Sequence, residues 1–151
     1  MSLLVTIHVL SAVIGIGPTY FFPALFRPAL SPPELRGALT IGQRLARYPQ
    51  VGGTLALLSG IGLVFASDTR LFGQTWIWGT LVLFALIQGI VMGVGLPATK
   101  KLGRWLSDPG NSDAKALPPE VNAHYQRLRM AHSVAAVLGT VLFALMILKP
   151  S

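Results

Sequence analysis

The chain contains no cysteine, few acidic residues and long stretches without charge of either sign. Lack of cysteine excludes disulfides, thiolate nucleophiles and Cys-based zinc or iron–sulfur sites. Asp and Glu together number five in 151 residues, and no two share or flank one apolar stretch, so a buried acid–base pair is not expected. The placement of the missing charge says most. No Lys, Arg, Asp or Glu occurs from Met1 to Phe26, from Tyr48 to Ser67, from Leu71 to Thr99, or from Met130 to Leu148. At about 1.5 Å of rise per residue, each window as a helix covers a hydrocarbon layer roughly 30 Å thick. An ionised side chain at the bilayer centre costs about 3 kcal/mol on insertion scales, so four spans would require such windows.

Composition points the same way. Hydrophobic residues make up 52% and charged residues 11%, against about 25% charged in a soluble domain. The fold class that follows is all-α, a polytopic membrane protein with an antiparallel four-helix transmembrane bundle. It forms a single domain over 1–151, with spans near 2–26, 48–67, 73–98 and 130–148. The formal net charge is +7, but the cations sit in the connections between windows, so they read as membrane-flanking charge and not as a nucleic-acid patch. The first window has no basic segment before it and no small-x-small cleavage site, which makes it a retained helix and not a signal peptide.

Arg27, Arg36, Arg44 and Arg47 fall in the first connection, and Lys100, Lys101, Arg104, Lys115, Arg127 and Arg129 in the third. Arg70 and Lys149 are the only cations on the other side. That asymmetry places connections one and three in the cytoplasm and both termini outside. Each cytoplasmic connection carries a helix start: Ser31-Pro32-Pro33-Glu34 has the form of a capping box, and Pro118-Pro119-Glu120 repeats its Pro-Pro-Glu element. Ser107 to Asp113 is turn-rich. Gly15-Ile16-Gly17-Pro18 follows no strand, so it is no phosphate loop; with Pro18 and Pro23 it bends the first span. Gly89 with Gly93, Ala56 with Gly60, and Ala135 with Gly139 are small-xxx-small pairs that let helices approach, within a bundle or across a homodimer.

Few residues offer chemistry. His8 lies in the first span, and its helix face continues through Ser11, Gly15, Pro18 and Phe22. A flat macrocycle could lie on that strip with His8 as axial iron ligand. The competing reading is a neutral histidine bonded to a neighbouring hydroxyl or carbonyl. His132 lies in the fourth span, roughly 15–20 Å from His8 in depth by helical rise, so one iron in one protomer cannot take both. Met146 sits at the level of His8 and is the second-ligand candidate, as in His–Met haems. Gln88 is the one amide deep in the third span, either polar glue or the lining of a pathway.

Ile7-His8-Val9-Leu10, Gly17 and Tyr20-Phe21-Phe22-Pro23-Ala24-Leu25-Phe26 resemble the first helix of the HemJ-type protoporphyrinogen oxidases. Arg44-Leu45 and Arg47 before Pro49, then Ser59-Gly60-Ile61-Gly62-Leu63, look like that family's second helix. Trp76, Trp78, Lys100-Lys101 and Leu148-Lys149-Pro150 also fit. Together they suggest an uncharacterised family of bacterial four-helix membrane proteins related to the HemJ and CopD groups. The resemblance implies the bundle, haem b at His8, and contact with a porphyrin or quinone in the bacterial cytoplasmic (inner) membrane. It does not carry over the HemJ family's intramembrane Lys and Glu, because Gly79-Thr80 and Ala131-His132 stand in their places. The leading expectation is a haem-associated membrane protein with His8, Ser11, Gly15 and Met146 around the cofactor and His8 on the metal. The alternatives are a non-catalytic packing or assembly protein and a CopD-like copper-handling protein. The residues assign no enzyme class.

Overall fold

In the computed structural model, which describes residues 2–67 and 72–150, the apolar windows become four helical rods. These are Ser2–Leu25, Pro32–Ala66, Thr75–Ser107 and Pro119–Leu148, each long and apolar enough to cross a membrane, and no strand occurs among the described residues. Their outward faces are apolar: Phe65 and Ile147 are each 78% exposed, an arrangement that suits lipid and not water.

The first rod is α1 (Ser2–Ile16), a 3-10 turn at Gly17–Tyr20, and the single-turn α2 (Phe22–Leu25). Pro18 and Pro23 cannot donate to the helix ladder, and regular α-helix gives way to a 3-10 turn where these prolines interrupt it. The second rod is α3 (Pro32–Leu45) and α4 (Arg47–Ala66), joined at Ala46. The third is α5 (Thr75–Ile90), one π turn at Val91–Gly95, and α6 (Leu96–Ser107). The apolar pattern ends this span near residue 98, but the helix continues to Ser107 as the amphipathic α6. Pro97 has no N–H, and its ring crowds the carbonyl four residues back, that of Gly93; widening into a π turn relieves the clash. The fourth rod is the unbroken α7 (Pro119–Leu148), which starts well before the charge-free window.

Polar groups pin the helix ends. The Glu34 carboxylate accepts from the Ser31 N–H (2.9 Å) and the Ser31 hydroxyl (2.8 Å), and Arg27 donates to its other oxygen at 3.1 Å. The Ser31 and Arg27 donors hold the Glu34 carboxyl below its ordinary value, the Ser31 N–H contributing most. At the end of α6, Arg36 donates to the carbonyls of Leu106 (2.9 Å) and Asn111 (3.0 Å), and Asn111 donates to that of Trp105 (3.0 Å). Those bonds give partners to carbonyls that a helix C-terminus leaves open. From α7, Arg129 donates to the Phe26 carbonyl at 2.9 Å and the Tyr125 hydroxyl donates to that of Arg27.

Side chains at helical spacing fill the space between these ends. Leu35, Ala38 and Leu39 of α3 meet Ala98, Leu102 and Leu106 of α6, closed by Tyr125 and Leu128 of α7 and by Phe22, Phe26 and Leu30. The largest buried cluster thus lies at the basic end of the bundle. Beyond it the chain forms two hairpins, α1 against α4 and α5 against α7. The hairpins meet through the Gly17–Tyr20 turn, α2 and α7, and through α3 and α6. Arg70, counted above among the cations of the second connection, lies outside the described residues.

Candidate functional site

Two cavities of about 360 Å³ each lie between the hairpins. That volume is at the small end of ligand pockets, which run roughly 300–1,000 Å³. Gly15, Ile16, Gly53, Phe84 and Leu142 line both, so the cavities adjoin along the bundle. One lies toward the chain termini and holds His8, Trp76, Met146 and Lys149. The other lies toward the basic end and holds Gln88, Thr99 and His132.

His8 is held by α4. Its Nδ1 is 2.9 Å from the Ala56 carbonyl and 3.2 Å from Ser59 Oγ. The Ser59 hydroxyl has its own acceptor, the Leu55 carbonyl at 2.6 Å, so the arrangement assigns the imidazole proton to Nδ1 and its donation to Ala56. Nε2 then carries a lone pair, and no protein group bonds to it among the described residues. A carbonyl-anchored Nδ1–H with a free Nε2 is the usual state of a histidine that ligates metal. Gly60 supplies the room: a Cβ there would stand 2.9 Å from His8 Cε1. The Ala56–Gly60 pair therefore acts on the imidazole itself, Ala56 through its carbonyl and Gly60 through its missing side chain.

The strip below His8 is not a free surface. A Cβ on Gly15 would stand 2.7 Å from the Gly53 nitrogen and 2.9 Å from the Gly52 carbonyl carbon, and one on Gly52 would stand 2.8 Å from the Ser11 oxygen. Ser11 is buried and Gly15 touches the cavities only where they join. The expectation of a macrocycle lying flat on Ser11 and Gly15 is corrected on this point: α4 already occupies that face. Two glycines opposite a third let the backbones meet, a pairing that the sequence of α1 alone does not disclose. Between the hairpins, His8 and Met146 line the cavity toward the termini.

His132 follows the same pattern in the second cavity. Its Nδ1 is 3.0 Å from the Leu128 carbonyl, one turn back, and its ring packs on Phe22 with centroids 4.3 Å apart. Gln88 makes no hydrogen bond among the described residues, and its Nε2 lies 3.7 Å from where a Cβ of Gly53 would be. The π turn falls on the wall of this cavity, with Gly95 close to His132. Sequence reasoning did not single out that turn; its signal was Gly93, Gly95 and Pro97 in alternation. Gly89 and Gly93, the GxxxG pair, meet nothing within 4 Å and do not pack inside the bundle. No cluster of three or more His, Cys, Asp or Glu side chains occurs among the described residues.

Residues 38–150 match the family described as "Predicted integral membrane protein (DUF2269)". No curated protein and no solved structure matches the chain.

Proposed function

The chain belongs to the DUF2269 family of predicted integral membrane proteins, and from that premise we propose that it is a haem-associated protein of the bacterial cytoplasmic membrane, with both termini outside. The observation that carries the reading is His8, whose Nδ1 bond to Ala56 leaves Nε2 free beside an apolar cavity. The donor set would suit a haem: an imidazole nitrogen, the Met146 thioether on the same cavity, and Lys149, the one cation lining it among the described residues. His8 would hold the iron, Met146 is the candidate second ligand, and Lys149 would pair with a propionate. A bound haem would supply a one-electron redox centre. The protein's own part is to fix the imidazole through Ala56, Ser59 and Gly60 and to keep water from the ring with Val5, Leu57 and Phe84.

A second reading rests on the same bond. His8 donating to Ala56 is also an interhelical tie between α1 and α4, which a non-catalytic packing or assembly protein would use without any haem. Spectra of protein purified from haem-replete cells separate the two. The haem reading expects a Soret band that shifts on dithionite reduction, lost in His8→Ala and retained in His132→Ala. Met146→Leu changes the spectrum when Met146 is the second ligand and leaves it unchanged when His8 of a second protomer takes that place. A wild-type protein without a Soret band refutes the haem reading, and metal analysis of the same sample tests the copper alternative.

A further inference from the structure

The second cavity, toward the basic end, is not used by the haem reading. Among the described residues no Lys, Arg, Asp or Glu lines it, so a ligand bearing a carboxylate or phosphate would find no ion partner in that lining. Its polar lining is Thr19, Gln43, Gln50, Gln88, Thr99 and His132. Thr99 donates to its own helix, Gln43 and Gln50 lie at the basic end of the second span, and Gln88 and His132 stand on the third and fourth. His132 donates through Nδ1 to its own helix, which leaves Nε2 as an acceptor. Gln88 brings an amide with no protein partner among the described residues, able to donate or accept. At about 1.5 Å per residue the two lie roughly 20 and 24 Å below the terminal ends of α5 and α7, so they face the cavity at similar depth. Unsatisfied polar groups inside a hydrocarbon layer are costly, which favours a ligand that answers both. The walls add the aromatic faces of Phe22, Phe26 and Phe84, which suit a planar ring. Because α4 and α5 do not pack closely on each other, the cavity borders the surface that lipid covers.

We propose that this cavity binds a neutral, lipid-soluble aromatic diol of the quinol class, with one hydroxyl donating to His132 Nε2 and the opposite oxygen bonded to the Gln88 amide. The site reads the hydroxyl. A quinone presents only acceptors, so it cannot answer His132 Nε2, and the reduced form binds more tightly. One neutral hydrogen bond changes affinity about two- to tenfold.

The experiment is equilibrium binding of a decyl-substituted benzoquinol and of its quinone, measured anaerobically on the full-length protein in lipid nanodiscs. The expected result is saturable binding with the quinol favoured about two- to tenfold. His132→Phe keeps a ring against Phe22 and should equalise the two ligands. Gln88→Leu should weaken both to a similar degree. His8→Ala should leave both affinities unchanged, which separates this site from the haem reading. If His132→Phe fails to fold, the wild-type preference and Gln88→Leu decide the matter. Absence of saturable binding, a preference that survives His132→Phe, or equal binding of decanol, which has one hydroxyl and no ring, would overturn the proposal.

Discussion

Gly52→Ala should be among the most damaging single-methyl changes in the protein. A Cβ at Gly52 would stand 2.5 Å from the Gly15 nitrogen, 2.7 Å from Gly15 Cα and 2.8 Å from the Ser11 oxygen. All three are backbone atoms, so no side chain can rotate away. To bring the nearest of these to ordinary contact, α1 and α4 must part by roughly 0.9 Å, and a gap of that size forfeits about a quarter to a half of each dispersion contact along the seam. Overpacking costs about 1–3 kcal/mol, and a clash of backbone on backbone belongs in the upper half of that range. The assay is SDS-induced unfolding in mixed micelles, followed by helical circular dichroism. Gly93→Ala is the control: it meets nothing within 4 Å, and exchanging Gly for Ala favours a helix by up to about 1 kcal/mol. If Gly52→Ala destabilises no more than Gly93→Ala, the close α1–α4 seam is wrong, and with it the placing of His8 on Ala56.

Two further outcomes follow from the helix ends and the charge pattern. Ser31 and Arg27 lower the Glu34 carboxyl, so its contribution to the α3 start is present above the ordinary value of 4.5 and is lost as pH falls through the lower folded value. Amide exchange in the first turn of α3, corrected for intrinsic rate, should therefore rise on acidification, and Glu34→Gln should remove that dependence; an unchanged pH response in the variant refutes the cap. For topology, cysteine at Ser2 should react with an impermeant maleimide in intact cells and cysteine at Asp113 only after permeabilisation, whereas the reverse pattern would invert the orientation.

The start of α3 was legible because Ser31 and Glu34 act within one turn, where spacing alone brings carboxylate and donors together. The end of regular α-helix after α1 was legible for a similar reason, since Pro18 removes a donor wherever the rest of the chain goes. Gly89 and Gly93 were not readable in this way. Their spacing permits close approach, but which helix comes near depends on rotation and pairing. Lipid tails are as apolar as leucine, so no hydrophobic stripe records those choices in a transmembrane sequence.

The same division runs through the candidate site. His8 stood out by itself, because an imidazole in a charge-free span is unusual whatever surrounds it. Its proton position, the glycine that makes room for it and the cavity it shares with Met146 all depend on α4 and α7, far away in sequence. Ser11 and Gly15 show the converse, small residues on the expected face that turn out to be covered by Gly52 and Gly53. The sequence by itself determined the four spans and their helical starts, since excluding charge and capping a first turn are local costs. Only the tertiary structure decided which faces meet and where the bundle stays open, since those depend on contacts between segments that no local pattern encodes.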